Sequence, residues 1–217
     1  MLLISVFNAS MTEMPSFPTL LNTVLMEFFH KLYILLYASL TSLDNYSKAR
    51  DRLKMSLEDL RRGLARYLEG DYPDAVFRFQ LSVENACKSI LSFLGIEFEK
   101  THFPSVLIGR LVSDKERMKK LNLSREQITH LTLIVSHASS LESQGSMPRY
   151  GWETEERIIM PSEVYVEDVA KELLRSTLGG LSSVVKFFNE FKNLPPDLSG
   201  MISQLRSVVD DASGKLG

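Results

Sequence analysis

Apolar side chains recur at the spacing of an α-helix along most of this chain, and that periodicity constrains the fold more than any other feature. Within residues 46–68 the apolar positions are Leu53, Leu57, Leu60, Leu64 and Tyr67. Steps of three and four residues place such side chains on one helical face. Gly70 follows this segment and suits the left-handed position that often ends a helix.

The same pattern predicts further helices. They are expected at about 72–94, 105–119, from Ser124 to about 141, at 162–191 and at 196–211. Ser124 and Gln127 have the spacing of a capping box. The inward positions are Val76, Phe79, Val83, Ala86, Ile90 and Phe93; Ile128, Leu131, Val135, Ala138 and Leu141; Val166, Val169, Leu173, Leu181, Val184, Phe188 and Phe191; and Leu198, Ile202, Leu205 and Val209.

Polar residues with glycines and prolines fill residues 139–162, which predicts a long loop. No segment alternates with a period of two for long, so no sheet is expected. The very short connection between the first two helices predicts an antiparallel pair. The sequence therefore predicts an all-α, up-and-down helical bundle over residues 45–192. An apolar helical extension at 1–44 precedes it, and a short C-terminal helix and tail at 193–217 follow it.

Charge and cysteine content narrow the class of protein. The chain has 25 Lys and Arg against 27 Asp and Glu, with a formal net charge of -2. Proteins that bind nucleic acid over a broad surface usually carry a basic excess, so such contact would need a local patch such as the Lys/Arg cluster at 48–66. Cys87 is the single cysteine, which excludes an internal disulfide and fits a reducing compartment. A cytoplasmic location is expected.

The apolar N-terminal segment, residues 1–43, has three interpretations. No basic residue precedes its first apolar run, which argues against a signal peptide. The best window for a membrane span, residues 20–43, contains Glu27, His30 and Lys31 near its centre, where charges are costly. We therefore favour a helix that is buried or packed on a partner, with no membrane span. The alternatives are a membrane helix, or a translation start at Met11 or Met14.

Several short sequence segments, taken in their order along the chain, carry a resemblance to a known family. They are Gly70–Ala75, Phe79–Leu91, Gly95–Glu97, Lys100–His102, Arg149–Tyr150 and Glu163–Tyr165. Their order resembles the HEPN family, which has a Gly-x-Tyr turn, a Gln-x-x-x-Glu-x-x-x-Lys helix, a Lys-Thr-His exit and a later Arg-Tyr. The resemblance covers about residues 46–192. It implies a helical bundle, commonly a homodimer, associated with nucleotide binding, RNA cleavage or a partner nucleotidyltransferase in toxin–antitoxin-like pairs.

Gln80, Glu84 and Lys88 repeat every four residues and so share one helical face. They form either a polar strip that faces a ligand or a dimer cleft, or a solvated face with a local ion pair. Cys87 lies beside the buried face and is expected to be a core residue.

Two further segments are candidates for ligand binding. Lys100, Thr101 and His102 precede a helix, whose first N–H groups either hold a phosphate or are capped by Thr101. Arg149 and Tyr150, with Trp152 nearby, lie in the predicted loop. An arginine beside aromatic rings can hold a phosphate with its guanidinium while a base stacks on the rings. The alternative is that the rings plug the bundle while Arg149 pairs with Glu153 or Glu155.

Ribonucleases of this family carry an Arg-x4–6-His motif, and Arg125 with His130 is a weak match. In that chemistry the arginine stabilises phosphate charge and the histidine moves a proton. Here Glu126 follows the arginine and would compete for it. Neither His30 nor His137 has a second ligand at helical spacing, so no metal site or cofactor is expected.

Three functional hypotheses follow. The first is a non-catalytic, dimeric module that binds a nucleotide or RNA through Gln80, Glu84, Lys88, the 100–102 segment, Arg149 and Tyr150. The second is a metal-independent ribonuclease that uses Arg125 and His130. The third is a structural protein that oligomerises through residues 1–43.

Overall fold

The computed structural model describes the backbone of residues 17–216, and the side chains of residues 31–32 and 43–216. The chain divides into two compact units between Leu43 and Asp44. In the first unit the described residues are helical from Phe17 onward. The alternative starts at Met11 and Met14 lie outside the described residues, as does the side chain of His30. None of the helices in the described part combines the length and the hydrophobicity that crossing a bilayer demands.

Residues 44–216 form an all-α helical bundle, which confirms the predicted fold class. The helices are α1 (Phe17–Leu68), α2 (Tyr72–Phe93), α3 (Pro104–Ser113), α4 (Lys115–Lys120), α5 (Arg125–Glu142), α6 (Met147–Tyr150), α7 (Pro161–Val164), α8 (Glu167–Asn189) and α9 (Pro196–Leu216). Two short strands, β1 (Trp152–Glu153) and β2 (Ile158–Ile159), pair between α6 and α7.

The C-terminal part of α1 and the whole of α2 run antiparallel, as the short connection predicts. Gly70, at φ 79°, ends α1 in the left-handed region. Three side-chain contacts join the two helices, and the residue number on α2 falls as the residue number on α1 rises. The pairs are Arg52 Nη1 with Asn85 Oδ1 at 3.1 Å, Ser56 Oγ with Ser82 Oγ at 3.2 Å, and Arg78 Nη1 with Asp59 Oδ1 at 3.3 Å.

A continuous apolar core lies between α2, α5 and α8, and α9 packs on α8. Phe79, Ile90, Leu131 and Phe188 are fully buried. The Gly179–Gly180 pair in α8 is a close-packing point. A Cβ atom built on Gly179 would lie 2.7 Å from the imidazole of His137 on α5, so any larger residue would require His137 to move.

The predicted loop at 139–162 and the predicted absence of any sheet are wrong in detail. Residues up to Glu142 continue α5, and α6, α7 and a β1–β2 hairpin occupy much of the remainder. Trp152 pairs with Ile159, and Glu153 pairs with Ile158. Two-residue strands are too short to show an alternating pattern in the sequence, which is why periodicity missed them.

Three predicted helix boundaries also need correction. The helix expected at 105–119 breaks at Asp114, whose side chain caps α4 by accepting from the Arg117 N–H at 3.0 Å. The long helix begins only at Glu167, so Val166 precedes it and is 48% exposed. Val169, in its first turn, is 38% exposed. Neither valine is the core residue that the periodicity predicts. The last helix continues to Leu216 and not to 211.

The capping box at the start of α5 is present as the sequence predicts. The Gln127 N–H donates to Ser124 Oγ at 3.1 Å, and the Ser124 N–H donates to Gln127 Oε1 at 2.7 Å. Replacing Ser124 with alanine should lower the free energy of unfolding by about 1 kcal/mol, because one N–H at the helix end loses its acceptor. Urea denaturation measures the change.

Ser203→Ala is the matched control for this change. Ser203 Oγ bonds only to the Ser199 carbonyl, inside α9, and its loss should change stability by less than about 0.5 kcal/mol. Equal effects of the two substitutions would show that the capping box contributes nothing specific.

Candidate functional site

A cleft of about 270 Å³ opens beside α2, between the segment that enters α3 and the short helix α6. Its lining includes five residues that the sequence singles out, namely Gln80, Glu84, His102, Arg149 and Tyr150. These side chains come from three separate stretches of the chain. The cleft is thus the place where the fold brings most of the sequence-based candidates together.

Two residues of the polar strip of α2, Gln80 and Glu84, line the inner wall of this cleft. Gln80, Glu84 and Lys88 are each less than 9% exposed, so the interpretation as a solvated face is wrong. Lys88 Nζ donates to Glu84 Oε1 at 2.5 Å. Lys88 itself does not line the cleft. Through this contact Lys88 holds the Glu84 carboxylate in place.

His102 covers one side of the cleft. Its Nδ1 atom lies 3.2 Å from Glu84 Oε2, while 81% of the His102 side chain is exposed. Glu84 therefore has a partner on each carboxylate oxygen, Lys88 on one and His102 on the other. The buried carboxylate is fixed in orientation by this double contact.

The N-terminus of α3 is occupied by protein groups, which argues against a phosphate there. The Ser105 N–H donates to Glu142 Oε1 at 2.9 Å, and Ser105 Oγ donates to Glu142 Oε2. Thr101 Oγ1 accepts from the Phe103 N–H at 3.0 Å. Thr101 thus accepts a backbone hydrogen bond, as predicted, but from the N-cap residue Phe103, and no side chain caps α3. Lys100 is exposed and lies outside the cleft lining.

Glu142 is a buried carboxylate that the sequence did not single out. Burial raises its pKa, although the hydrogen bonds from Ser105 act in the opposite direction and the charge of Glu84 raises it further. Burial likewise raises the pKa of the Cys87 thiol, with Glu142 and Glu84 contributing. Cys87 is fully buried, as expected for a core residue rather than a nucleophile.

The raised pKa of Glu142 predicts a pH dependence of stability. The folded protein binds this proton more tightly than the unfolded chain does. The associated stabilisation is therefore present below the ordinary pKa of 4.5 and is lost as the pH rises through the folded value. The free energy of unfolding of the wild type minus that of Glu142→Gln should therefore fall as the pH increases above 4.5. Denaturant melts across this range measure the difference.

Glu163→Gln supplies a control of opposite sign. The Met160 N–H and Arg157 lower the pKa of Glu163. The stabilisation from Glu163 is present above its ordinary pKa and is lost on acidification. The wild-type minus Glu163→Gln difference should rise with pH. Parallel slopes for the two variants would contradict this account of Glu142.

Arg149 stands at the mouth of the cleft with its charge available. Its guanidinium carbon lies 4.9 Å from the ring centre of Phe77 and 4.9 Å from that of Tyr150. Over residues 43–216 no carboxylate oxygen lies within 4.0 Å of it, so it does not pair with Glu153 or Glu155. Tyr150 is 66% exposed and Trp152 is 59% exposed, so neither ring plugs the bundle.

Arg125 and His130 both lie on α5, five residues apart, which is the spacing of the Arg-x4–6-His motif. Their surroundings differ. Arg125 is exposed, whereas His130 Nδ1 is buried and has no hydrogen-bond partner within the described part. Neither residue lines the cleft.

Acidic neighbours pair with four of the seven basic residues in the Lys/Arg cluster at 48–66. The ion pairs among the described residues are Lys48–Asp44, Arg50–Asp51, Arg50–Asp197, Arg62–Glu58, Arg62–Asp59, Arg66–Glu69 and Arg66–Asp74. These pairs reduce the attraction of the cluster for phosphates. Arg149 is the stronger candidate for an anion contact, because it lines a cleft and contacts two aromatic rings.

Five cleft residues were missed by sequence reasoning, namely Phe77, Leu81, Phe103, Gly145 and Ser146. Phe77 precedes Gln80 by three residues and Glu84 by seven, so the helical spacing that defined the polar strip also includes Phe77. Phe103 and Ser146 lie in short irregular segments, where spacing gives no signal. No group of three metal-ligating side chains occurs among the residues whose side chains are described.

Comparisons with known proteins place this bundle in context. The family model described as HEPN domain matches residues 49–178, more than half of the chain. The chain is also 28% identical over 150 residues to "Putative toxin MJ1304" of Methanocaldococcus jannaschii, which covers 67% of this chain and 91% of that protein. No solved structure gives a significant match.

Proposed function

This chain belongs to the HEPN domain family, and from that membership we propose that it binds a nucleotide or RNA in the cleft beside α2. The relative named as a toxin adds support for a role in a toxin–antitoxin-like system. Family membership alone does not supply a site. The proposal therefore rests on the chemistry of the cleft.

The observation that carries the proposal is the state of Arg149. Its guanidinium is stacked against Phe77 and Tyr150 and is left without a carboxylate in the described region. Aromatic contact fixes the plane of the group, and its free N–H donors match two oxygens of a phosphate. The exposed rings of Phe103 and Tyr150 offer faces on which a base stacks.

Replacing Arg149 with alanine should weaken binding of AMP or of a short RNA oligonucleotide at least about tenfold, because a phosphate loses a charge-assisted contact. Arg149→Lys should recover only part of the affinity, because lysine keeps the charge but not the planar group. Calorimetric titration measures the three affinities, and the fluorescence of Trp152 gives a second readout.

Arg175→Ala is the matched control for the binding experiment. Arg175 is an exposed arginine on α8, paired with Glu172 and distant in sequence from the cleft segments. Its loss should leave the affinity unchanged. Absence of binding to the wild type at millimolar nucleotide, or equal losses in the two alanine variants, would refute the proposed site.

We infer further that the module is non-catalytic. Neither Arg125 nor His130 lines the cleft, and the Nδ1 atom of His130 is buried without a hydrogen-bond partner in the described part of the chain. Purified protein and His130→Ala should both leave RNA intact. Cleavage by the wild type that disappears in His130→Ala would instead establish the ribonuclease alternative.

The proposal also covers the oligomeric state and the cellular location of the protein. We infer a cytoplasmic homodimer, or a complex with a nucleotidyltransferase, on the basis of the family and the toxin-named relative. Light scattering on the full-length chain should give twice the monomer mass of 24.6 kDa. A monomer at micromolar concentration would argue against self-association, including oligomerisation through residues 1–43.

A further inference from the structure

Two side chains that carry hydrogen-bond acceptors lie in the inner wall of the cleft. Gln80 and Glu84 lie one turn apart on α2, and both line the cleft. Gln80 is 8% exposed, and its Oε1 atom is buried without a hydrogen-bond partner in the described structure. Lys88 and His102 each occupy one oxygen of Glu84, and a carboxylate has about four acceptor sites, so further capacity remains.

An unpartnered buried amide oxygen is costly, at roughly 1–3 kcal/mol. Most buried polar atoms have a partner, so such an exception calls for a specific cause. A ligand that brings an N–H group to Gln80 would remove this cost on binding. The terminal torsion of glutamine is soft, so rotation of the amide can turn the oxygen toward a ligand.

The two ends of the cleft therefore differ in chemistry. The acceptor-bearing side chains of Gln80 and Glu84 lie inside, and Arg149, which has no carboxylate partner among the described residues, lies at the mouth. A complementary ligand carries N–H donors at one end and an anionic group at the other. A phosphate turned inward would meet the Glu84 carboxylate and be repelled.

We propose that the ligand is a guanine nucleotide, with the base turned toward Gln80 and Glu84 and the phosphate on Arg149. Guanine carries adjacent N1–H and N2–H donors on its Watson–Crick edge, which suit a carboxylate and a neighbouring amide oxygen. Adenine offers one amino group there, and uracil one N–H. This inference rests on the proposed function, since it names the ligand class of that same cleft.

The test compares GMP with IMP, which differs from GMP by lacking the 2-amino group. Calorimetric titration of the wild type should show GMP bound about tenfold more tightly than IMP, because a site built around that donor loses a hydrogen bond. In Gln80→Leu the GMP preference should shrink to within about twofold. Gln204→Leu, at an exposed glutamine of α9, should keep the wild-type preference.

Thermal denaturation accompanies the titrations. Gln80→Leu should not lower the melting temperature, because it replaces an unsatisfied buried group with an apolar one. The comparison of GMP with IMP on the wild type needs no variant and stands even if that substitution impairs folding. Equal affinities for GMP and IMP, or a GMP preference that persists in Gln80→Leu, would overturn the guanine assignment.

The two proposals fail in distinguishable ways. If GMP, IMP and AMP bind equally and Arg149→Ala weakens all three, the guanine assignment is wrong and the nucleotide-binding cleft stands. If no nucleotide binds, both are wrong.

Discussion

Replacing Lys88 with alanine is expected to lower the free energy of unfolding by about 3–5 kcal/mol. Both side chains of the Lys88–Glu84 pair are less than 10% exposed, and the two charged atoms lie 2.5 Å apart. Removing the ammonium leaves a buried carboxylate with only the exposed His102 as a partner. The loss measures the penalty of that uncompensated charge rather than the net contribution of the pair.

Lys215→Ala is the matched control for the buried pair. Lys215 and Asp211 have the same spacing on a helix and lie 2.7 Å apart, but their side chains are 74% and 66% exposed. Solvent screens such a pair, so its loss should cost less than about 1 kcal/mol. Guanidinium denaturation of both variants gives the comparison. Similar small losses would show that the Glu84 site is hydrated in solution and not buried.

Replacing Phe188 with alanine should lower the free energy of unfolding by a comparable amount, about 3–5 kcal/mol. Phe188 is fully buried on α8, and its ring centre lies 5.2 Å from that of Phe93 and 5.4 Å from that of Phe187, in edge-to-face geometry. Truncation removes apolar burial, leaves a cavity and breaks both aromatic contacts.

Phe103→Ala makes the same chemical change at a position that is 53% exposed. Its effect on stability should be under about 1.5 kcal/mol, because half of the ring is already in water. Thermal or urea melts distinguish the two variants. A mild effect of Phe188→Ala would mean that the core around α8 is loosely packed.

Most of the fold was predictable because its helices are amphipathic and locally capped. The apolar spacing of Val76, Phe79 and Val83 identifies the buried face of α2 directly. The break between α3 and α4 was also encoded, because Asp114 is a residue type that favours the N-cap position. The apolar spacing continues across this break, however, so periodicity alone predicts one helix. The same continuity predicts Val166 and Val169 to be core residues, although α8 begins only at Glu167.

The cleft was predictable only in part. Sequence spacing puts Gln80, Glu84 and Lys88 on one face of α2, but spacing carries no information about which neighbour covers that face. The Ser105–Glu142 contact joins residues 37 positions apart, and Arg149 reaches Phe77 across 72 positions. Such meetings follow from how α3, α5 and α6 pack against α2, which local patterns do not specify.

Nuclear magnetic resonance tests most directly whether a nucleotide binds beside α2 at Arg149. Amide shifts of the ¹⁵N-labelled protein are followed while GMP is added. Binding in this cleft should produce saturable changes at Phe77, Gln80, Phe103 and Arg149, with the Arg125–His130 segment unaffected. Changes centred on Arg125–His130, or none at millimolar GMP, would contradict it.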